Sequence, residues 1–216
     1  MPAKDVPDPD ALKDTVDKWV SEEQWHIENA TVDVRQFMTG LNVGDVVADA
    51  PVYSPEGVET ALSTLWSAKP ALLLSGSISC PPSRALNPAA NTLQQEFGEQ
   101  LQLAVLYVID AHPDGDLCPY TGTSWLSKTN EDENVRVAQP RDQAERNALA
   151  ARYRDLLGLQ VPVLVDNMDN TGWAALGKAP NTVVLVDTAG RCRHCDVWFR
   201  PAELPQVLIP LLNGLA

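Results

Sequence analysis

Apolar positions in this chain gather into short unbroken runs separated by amphipathic stretches. Ala71–Ser75 (ALLLS) and Leu101–Ile109 are two such runs. Their lack of alternation predicts strands covered on both faces. Between them, Cys80-Pro81-Pro82 opens a stretch reaching about Phe97, with Leu86, Ala90, Leu93 and Phe97 on one helical face. Prolines are tolerated in a first helical turn, whereas Pro88 falls inside the helix and predicts a kink. Strand, helix, strand in that order implies a parallel pair joined by a right-handed crossover.

The same reading extends along the chain. Leu12, Val16, Trp19, Val20 and Ile27 recur at helical spacing and predict a helix-rich arm over residues 10–38. The Asp- and Pro-punctuated stretch 44–51 reads as an extended entry, and Pro55–Ala68 as a helix. Residues 113–139 form a long irregular stretch, a length usually tied to function or mobility. Pro140–Leu157 reads as a helix with Gly158 past its end, Val161–Val165 as a strand and Asp169–Leu176 as a short helix. Thr182–Asp187 and Cys192–Trp198 flank a Thr-Ala-Gly-Arg turn and predict a hairpin. A closing helix is expected over Pro201–Leu212. The expected organisation is an arm, residues 1–43, and one α/β domain, residues 44–216.

Charge narrows the partners. Acidic residues outnumber basic ones 29 to 16, a net charge of −13. Nucleic acid and anionic membrane both demand concentrated positive charge, so neither is an expected partner. No apolar run approaches the ~20 residues of a membrane span. The N-terminal MPAKDVPDPD lacks the apolar core of a signal peptide, so a cytoplasmic location is expected. In a reducing compartment the four cysteines, Cys80, Cys118, Cys192 and Cys195, point to catalysis or metal binding rather than to a disulfide framework.

Topology then singles out a site. Ligands of open α/β sheets sit at the carboxyl ends of the parallel strands. Cys80 follows the first strand, and Asp110 and His112 follow the second, which places all three on one sheet edge. Pro180 precedes the hairpin. If that strand runs antiparallel, the proline joins the same edge, where a cis bond can shape a substrate groove. A cysteine reacts as thiolate, and the unpaired amides of a helix's first turn favour the anion. His112 suits the role of cation or proton donor, and Asp110 that of orienting it or relaying a proton. A small buried cysteine, a surface histidine and a turn-forming aspartate are the plain alternatives. Cys192-Arg193-His194-Cys195 is a C-x-x-C whose members, on a regular strand, face opposite ways, so that a local disulfide needs a bulge. A zinc site there lacks a second ligand pair, and no metal is expected.

Three motifs resemble those of the iodothyronine deiodinases. Gly76-Ser77-Ile78-Ser79-Cys80-Pro81-Pro82 is similar to the family's selenocysteine stretch, Tyr107–Pro113 to its Tyr-Ile-Asp-Glu-Ala-His-Pro run, and Val165–Asn170 to its Val-Asp-x-Met-Asp-Asn run. The resemblance implies a thioredoxin-like fold, a central mixed sheet flanked by helices, with a peroxiredoxin-type insertion. It implies reductive removal of iodine with thiol electrons. Cys80 falls on the selenocysteine position, His112 on the family histidine and Asp110 on its glutamate. Asp196–Arg200 stands where the family has a Gly-rich run. The sequence Cys80-Pro81-Pro82-Ser83 is also similar to monothiol glutaredoxins. Ser77 matches the hydroxyl of the peroxiredoxin pattern, though Leu73 replaces its proline.

The resulting expectation is a thiol-dependent oxidoreductase. The Cys80 thiolate attacks a halogen, sulfur or peroxide oxygen of a small-molecule electrophile. Ser77, Pro81 and Pro180 line the substrate site. Cys118, Cys192 and Cys195 are candidate resolving thiols. No cofactor is expected beyond an external reductant such as thioredoxin or glutathione, and a homodimer is open. The alternatives are a peroxiredoxin-like peroxidase and a non-catalytic binding module of the same fold.

Overall fold

A computed structural model of the protein describes residues 40–214. The expected helix over 10–38 lies outside the described residues, as does nearly all of the 1–43 arm. The described chain forms seven strands: β1 Pro51–Tyr53, β2 Glu59–Ala61, β3 Ala71–Gly76, β4 Gln102–Tyr107, β5 Val163–Asp166, β6 Val183–Val186 and β7 Cys192–Asp196. Its helices are α1 Pro81–Leu86, α2 Ala90–Phe97, α3 Lys128–Asp132, α4 Gln143–Leu157, α5 Thr171–Ala175 and α6 Leu204–Asn213.

The strands make one mixed sheet in the order β2-β1-β5-β4-β3-β6-β7. β3 pairs in parallel with β4, and β4 with β5, while β6 is antiparallel to β3 and β7 to β6. Side chains alternate between faces along each strand. Leu72, Leu74, Leu103, Val105 and Tyr107 therefore join one apolar layer with Leu93, Phe97, Ala150, Tyr153, Leu204 and Leu208. Leu73, Ala104, Leu106, Val108, Val184 and Val186 join the opposite layer with Val52, Trp66, Tyr120 and Trp173. Both faces are covered, which is why the strands read as unbroken apolar runs.

The expected kink is present: α1 and α2 are separated by a 3-10 turn at Asn87–Ala89 that contains Pro88. α4 starts where the Asp142 side chain accepts from the Glu145 amide, and it ends at Gly158, whose φ of 61° is left-handed. The helix expected over Pro55–Ala68 does not form. Gly57, at φ +89°, lets the chain reverse after Ser54, so Glu59–Ala61 pairs with β1 as β2 and only Leu62–Trp66 winds, as a 3-10 turn. Asp49 anchors that turn by accepting from the Ser63 amide and hydroxyl, both at 2.8 Å. The irregular stretch 113–139 contains one short helix, α3. Among the described residues no helix is long and apolar enough to cross a membrane.

Candidate active site

β3 ends at Gly76, a position with no room for a side chain. A Cβ on Gly76 would sit 2.6 Å from the Tyr153 hydroxyl and 2.7 Å from the Asn87 amide nitrogen. The chain then turns through Ser77-Ile78-Ser79, and Cys80 caps α1 with extended backbone. Ser83 closes the turn, its hydroxyl donating to the Ser77 carbonyl (2.8 Å) and the Cys80 carbonyl (3.0 Å). Arg84, one helical turn past Cys80, donates to the Ile78 carbonyl at 2.6 Å and forms an ion pair with Glu133 at 2.7 Å.

The end of β4 is tied to this turn atom by atom. The Ala111 amide donates to the Ser77 hydroxyl (3.3 Å) and the His112 amide to the Ser79 hydroxyl (3.2 Å). Asn130 of α3 donates to the Ser79 carbonyl at 2.8 Å and to the His112 carbonyl at 3.5 Å. Cys80, Asp110 and His112 are thus brought to one sheet edge, as expected. The His112 ring meets Trp125 edge to face, centroids 4.1 Å apart.

Asp110 is held through both its side chain and its backbone. Its carboxylate accepts from the Ser79 amide (3.1 Å) and the Tyr107 hydroxyl (3.0 Å), and its backbone pairs twice with the Gln139 side chain. It fastens the cysteine turn to β4. Burial raises its pKa, partly offset by the bonds from Ser79 and Tyr107 and by the Arg146 charge.

Two further expectations are corrected. Cys80 is 0% exposed and shares an apolar cluster with Ala111, Cys118, Tyr120 and half-buried Trp125, so its sulfur is enclosed rather than open at the turn. The helix start also offers fewer donors than expected. Pro81 and Pro82 carry no N–H, and the Cys80 amide is used on the Ser77 carbonyl at 3.2 Å. Only the Ser83 amide remains of the cap's usual set.

Pro180 is buried beside the end of β3. Its neighbour Ala179 accepts from the Ser75 hydroxyl (3.2 Å), and the Thr182 amide donates back to that hydroxyl (2.8 Å). Among the described residues no peptide bond is cis, so Pro180 shapes the edge through a trans bond. Cys192 and Cys195 do not face opposite ways. The β6–β7 register slips between Leu185 and Val186, leaving Arg193 as a bulge, so Val184 opposes Cys195 and Val186 opposes Cys192 on one face. Among the described residues no three His, Cys, Asp or Glu groups are placed to hold a metal.

Several site residues escaped the sequence reading. Tyr153 of α4 donates to the Ser83 carbonyl (3.2 Å) and accepts from Asn87 (2.9 Å). Burial raises its pKa first, the Cys80 sulfur adds to the rise and the Arg84 guanidinium opposes it, so both groups lie within electrostatic reach of the hydroxyl. Asn181 links Asn87 (2.9 Å) to the Ser75 carbonyl (3.3 Å). The sole sequence signal for these groups was polar residues inside apolar helical or strand-flanking stretches.

A mixed sheet with parallel β3-β4-β5, antiparallel β6 and β7, and a helix opened by a cysteine at the sheet edge defines a thioredoxin-like fold. Solved structures agree. A putative thiol:disulfide interchange protein DsbE from Chlorobium tepidum superposes with TM-score 0.54 at 20% identity, covering 80% of this chain and 99% of that one. Peroxidoxin BcpB from Mycobacterium tuberculosis gives TM-score 0.53 at 16% identity, covering 82% and 99%. A family model described as iodothyronine deiodinase matches residues 13–193, and the chain belongs to that family. It is similar to the type II iodothyronine deiodinases of Mus musculus, 33% identical over 135 residues, and of Rattus norvegicus, 30% over 134; each match covers 61% of this chain. The chain spans about half the length of these relatives, 47% of each.

Proposed function

We propose that this protein is a thiol-dependent redox enzyme in which Cys80 reduces a soft electrophile, with an aryl iodide as the class that family membership favours. The observation that carries the reading is the wiring of the Cys80 turn to the end of β4: Ser79, the residue before Cys80, accepts from the His112 amide and donates its own amide to Asp110. The turn that carries Cys80 and the segment that carries Asp110 and His112 are thereby held in one arrangement, as a pre-organised site requires.

The Cys80 thiolate attacks iodine, the carbon–iodine bond breaks with its electron pair left on carbon, and a proton donor quenches that carbon. His112, which follows β4 on the same sheet edge, is the donor in this reading. The sulfenyl iodide at Cys80 is reduced by one external thiol, which releases hydrogen iodide and leaves a mixed disulfide. A second thiol frees Cys80 and leaves as the external disulfide. One aryl iodide and two thiols become one arene, one hydrogen iodide and one disulfide. Neither a metal nor a resident cofactor enters the scheme; the external thiol supplies both electrons.

Enclosure of Cys80 sets the access step. The loop 117–124, closed on itself by the Leu117–Ser124 bridge and the bond from the Cys118 amide to the Thr123 carbonyl (2.9 Å), carries Cys118 and Tyr120 of the same apolar layer. Opening of that layer over Cys80 is the step that admits substrate. The test is thiol-dependent iodide release from an iodinated phenol. Cys80→Ser is expected to reduce it to the uncatalysed background, and full turnover by that variant overturns the assignment.

A further inference from the structure

β7 carries a second sulfur centre that the proposed chemistry does not use. A bulge at Arg193 turns Cys192 and Cys195 to the same face of the strand, where regular alternation would separate them. Cys192 is fully buried and Cys195 partly so, and both are free thiols. Same-face positions two register steps apart lie about 6.6–6.8 Å apart along a strand. That is the upper edge of the Cα separation a disulfide bridges, ~6.8 Å. The family match ends at Arg193, inside the motif, so Cys195 lies beyond it.

We infer that Cys192 and Cys195 form a reversible intrastrand disulfide, a dithiol–disulfide couple separate from Cys80. The order of events follows from exposure. The thiolate of partly exposed Cys195 attacks a small disulfide such as oxidised glutathione, which gives a mixed disulfide and releases one thiol. Cys192 then attacks the Cys195 sulfur and releases the second. The pair loses two electrons, and its two protons end on the two released thiols. A dithiol reductant runs the exchange backward.

The surroundings agree with a couple that is reduced at rest and reports its state locally. Burial, with Cys195 beside it, pushes the Cys192 thiol up to about 12, and burial also raises Cys195, so the pair rests protonated. The Cys195 thiol donates to the Leu41 carbonyl (3.3 Å). Gly44 and Asp45 pair with both backbone groups of Cys192, at 2.8 and 2.9 Å. Disulfide formation removes the thiol proton given to Leu41 and so loosens the 41–47 strap along β7.

Trypsin provides a clean readout. It cuts after Arg191 and Arg193, while Arg200 is protected by Pro201, so the two cysteines fall in separate peptides, 192–193 and 194–216. The folded chain is treated with oxidised glutathione, capped with N-ethylmaleimide and digested. The expected product is a disulfide-linked pair of these two peptides that dithiothreitol abolishes. The link is expected to form equally in a Cys80→Ser/Cys118→Ser variant, so its presence or absence is independent of whether Cys80 is catalytic. Recovery of both peptides unlinked, capped or singly glutathionylated, or a link from either to Cys118, overturns the inference.

Discussion

Gly76 shows how a single position sets the geometry of the site. The Tyr153 hydroxyl and Asn87 amide occupy the space a methyl would need, at 2.6 and 2.7 Å. Both also support the cysteine turn, through the Ser83 and Ser75 carbonyls. Gly76→Ala is therefore expected to destabilise the fold by about 1–3 kcal/mol, the usual range for overpacking, measured by denaturant unfolding. An unchanged midpoint contradicts the close approach. Asp110 makes a different kind of demand. Burial raises its folded pKa above the ordinary carboxylate value. Protonation is thus easier in the folded state than in the unfolded one, so its contribution is fully present below pH ~3.8–3.9 and is lost as pH climbs through the raised folded value. The stability of the wild type relative to Asp110→Asn is expected to fall across that window and to level off above it. A difference that grows with pH contradicts the assignment.

At the scale of elements, the proposed access step falls on the loop 117–124 and Trp125. Cys118, Tyr120 and Trp125 belong to the same apolar layer as Cys80. Trp125 also meets the His112 ring edge to face. Trp125→Ala removes a large, half-buried contact from this layer. It is expected to raise the rate of Cys80 alkylation by a neutral maleimide several-fold, followed by peptide mapping, with far-ultraviolet circular dichroism unchanged. Equal rates in the two proteins place the entry route elsewhere. The extent to which the sequence displayed these elements follows their physics. β3, β4 and the Pro-opened α1 were legible because unbroken apolar runs and helix-start prolines are local signals. The stretch 55–68 misled because Pro55 and its apolar spacing resemble a helix start, whereas the outcome turned on one left-handed glycine, Gly57, and a distant anchor, Asp49. The bulge at Arg193 depends on pairing with β6, which no local pattern encodes. Burial of Cys80 likewise comes from the packing of a layer drawn from distant parts of the chain, so its position on the sheet edge was legible and its enclosure was not.

For the molecule as a whole, a sheet covered on both faces leaves its chemistry at one edge. Cys80 follows β3, Asp110 and His112 follow β4, and Pro180 leads toward β6. The second thiol pair sits two strands from β3, on β7, behind the 41–47 strap. In the proposed reaction Cys80 takes up the iodine and external thiol only restores the cysteine. The most direct measurement is formation of the deiodinated phenol by the fully reduced Cys118→Ser/Cys192→Ser/Cys195→Ser protein mixed with excess iodinated phenol and no added thiol. A burst that stops at one deiodinated phenol per chain, with iodide freed and Cys80 open to alkylation only once thiol is supplied, is the expected result. Deiodination that continues without thiol, or that leaves Cys80 fully alkylatable, contradicts the proposal.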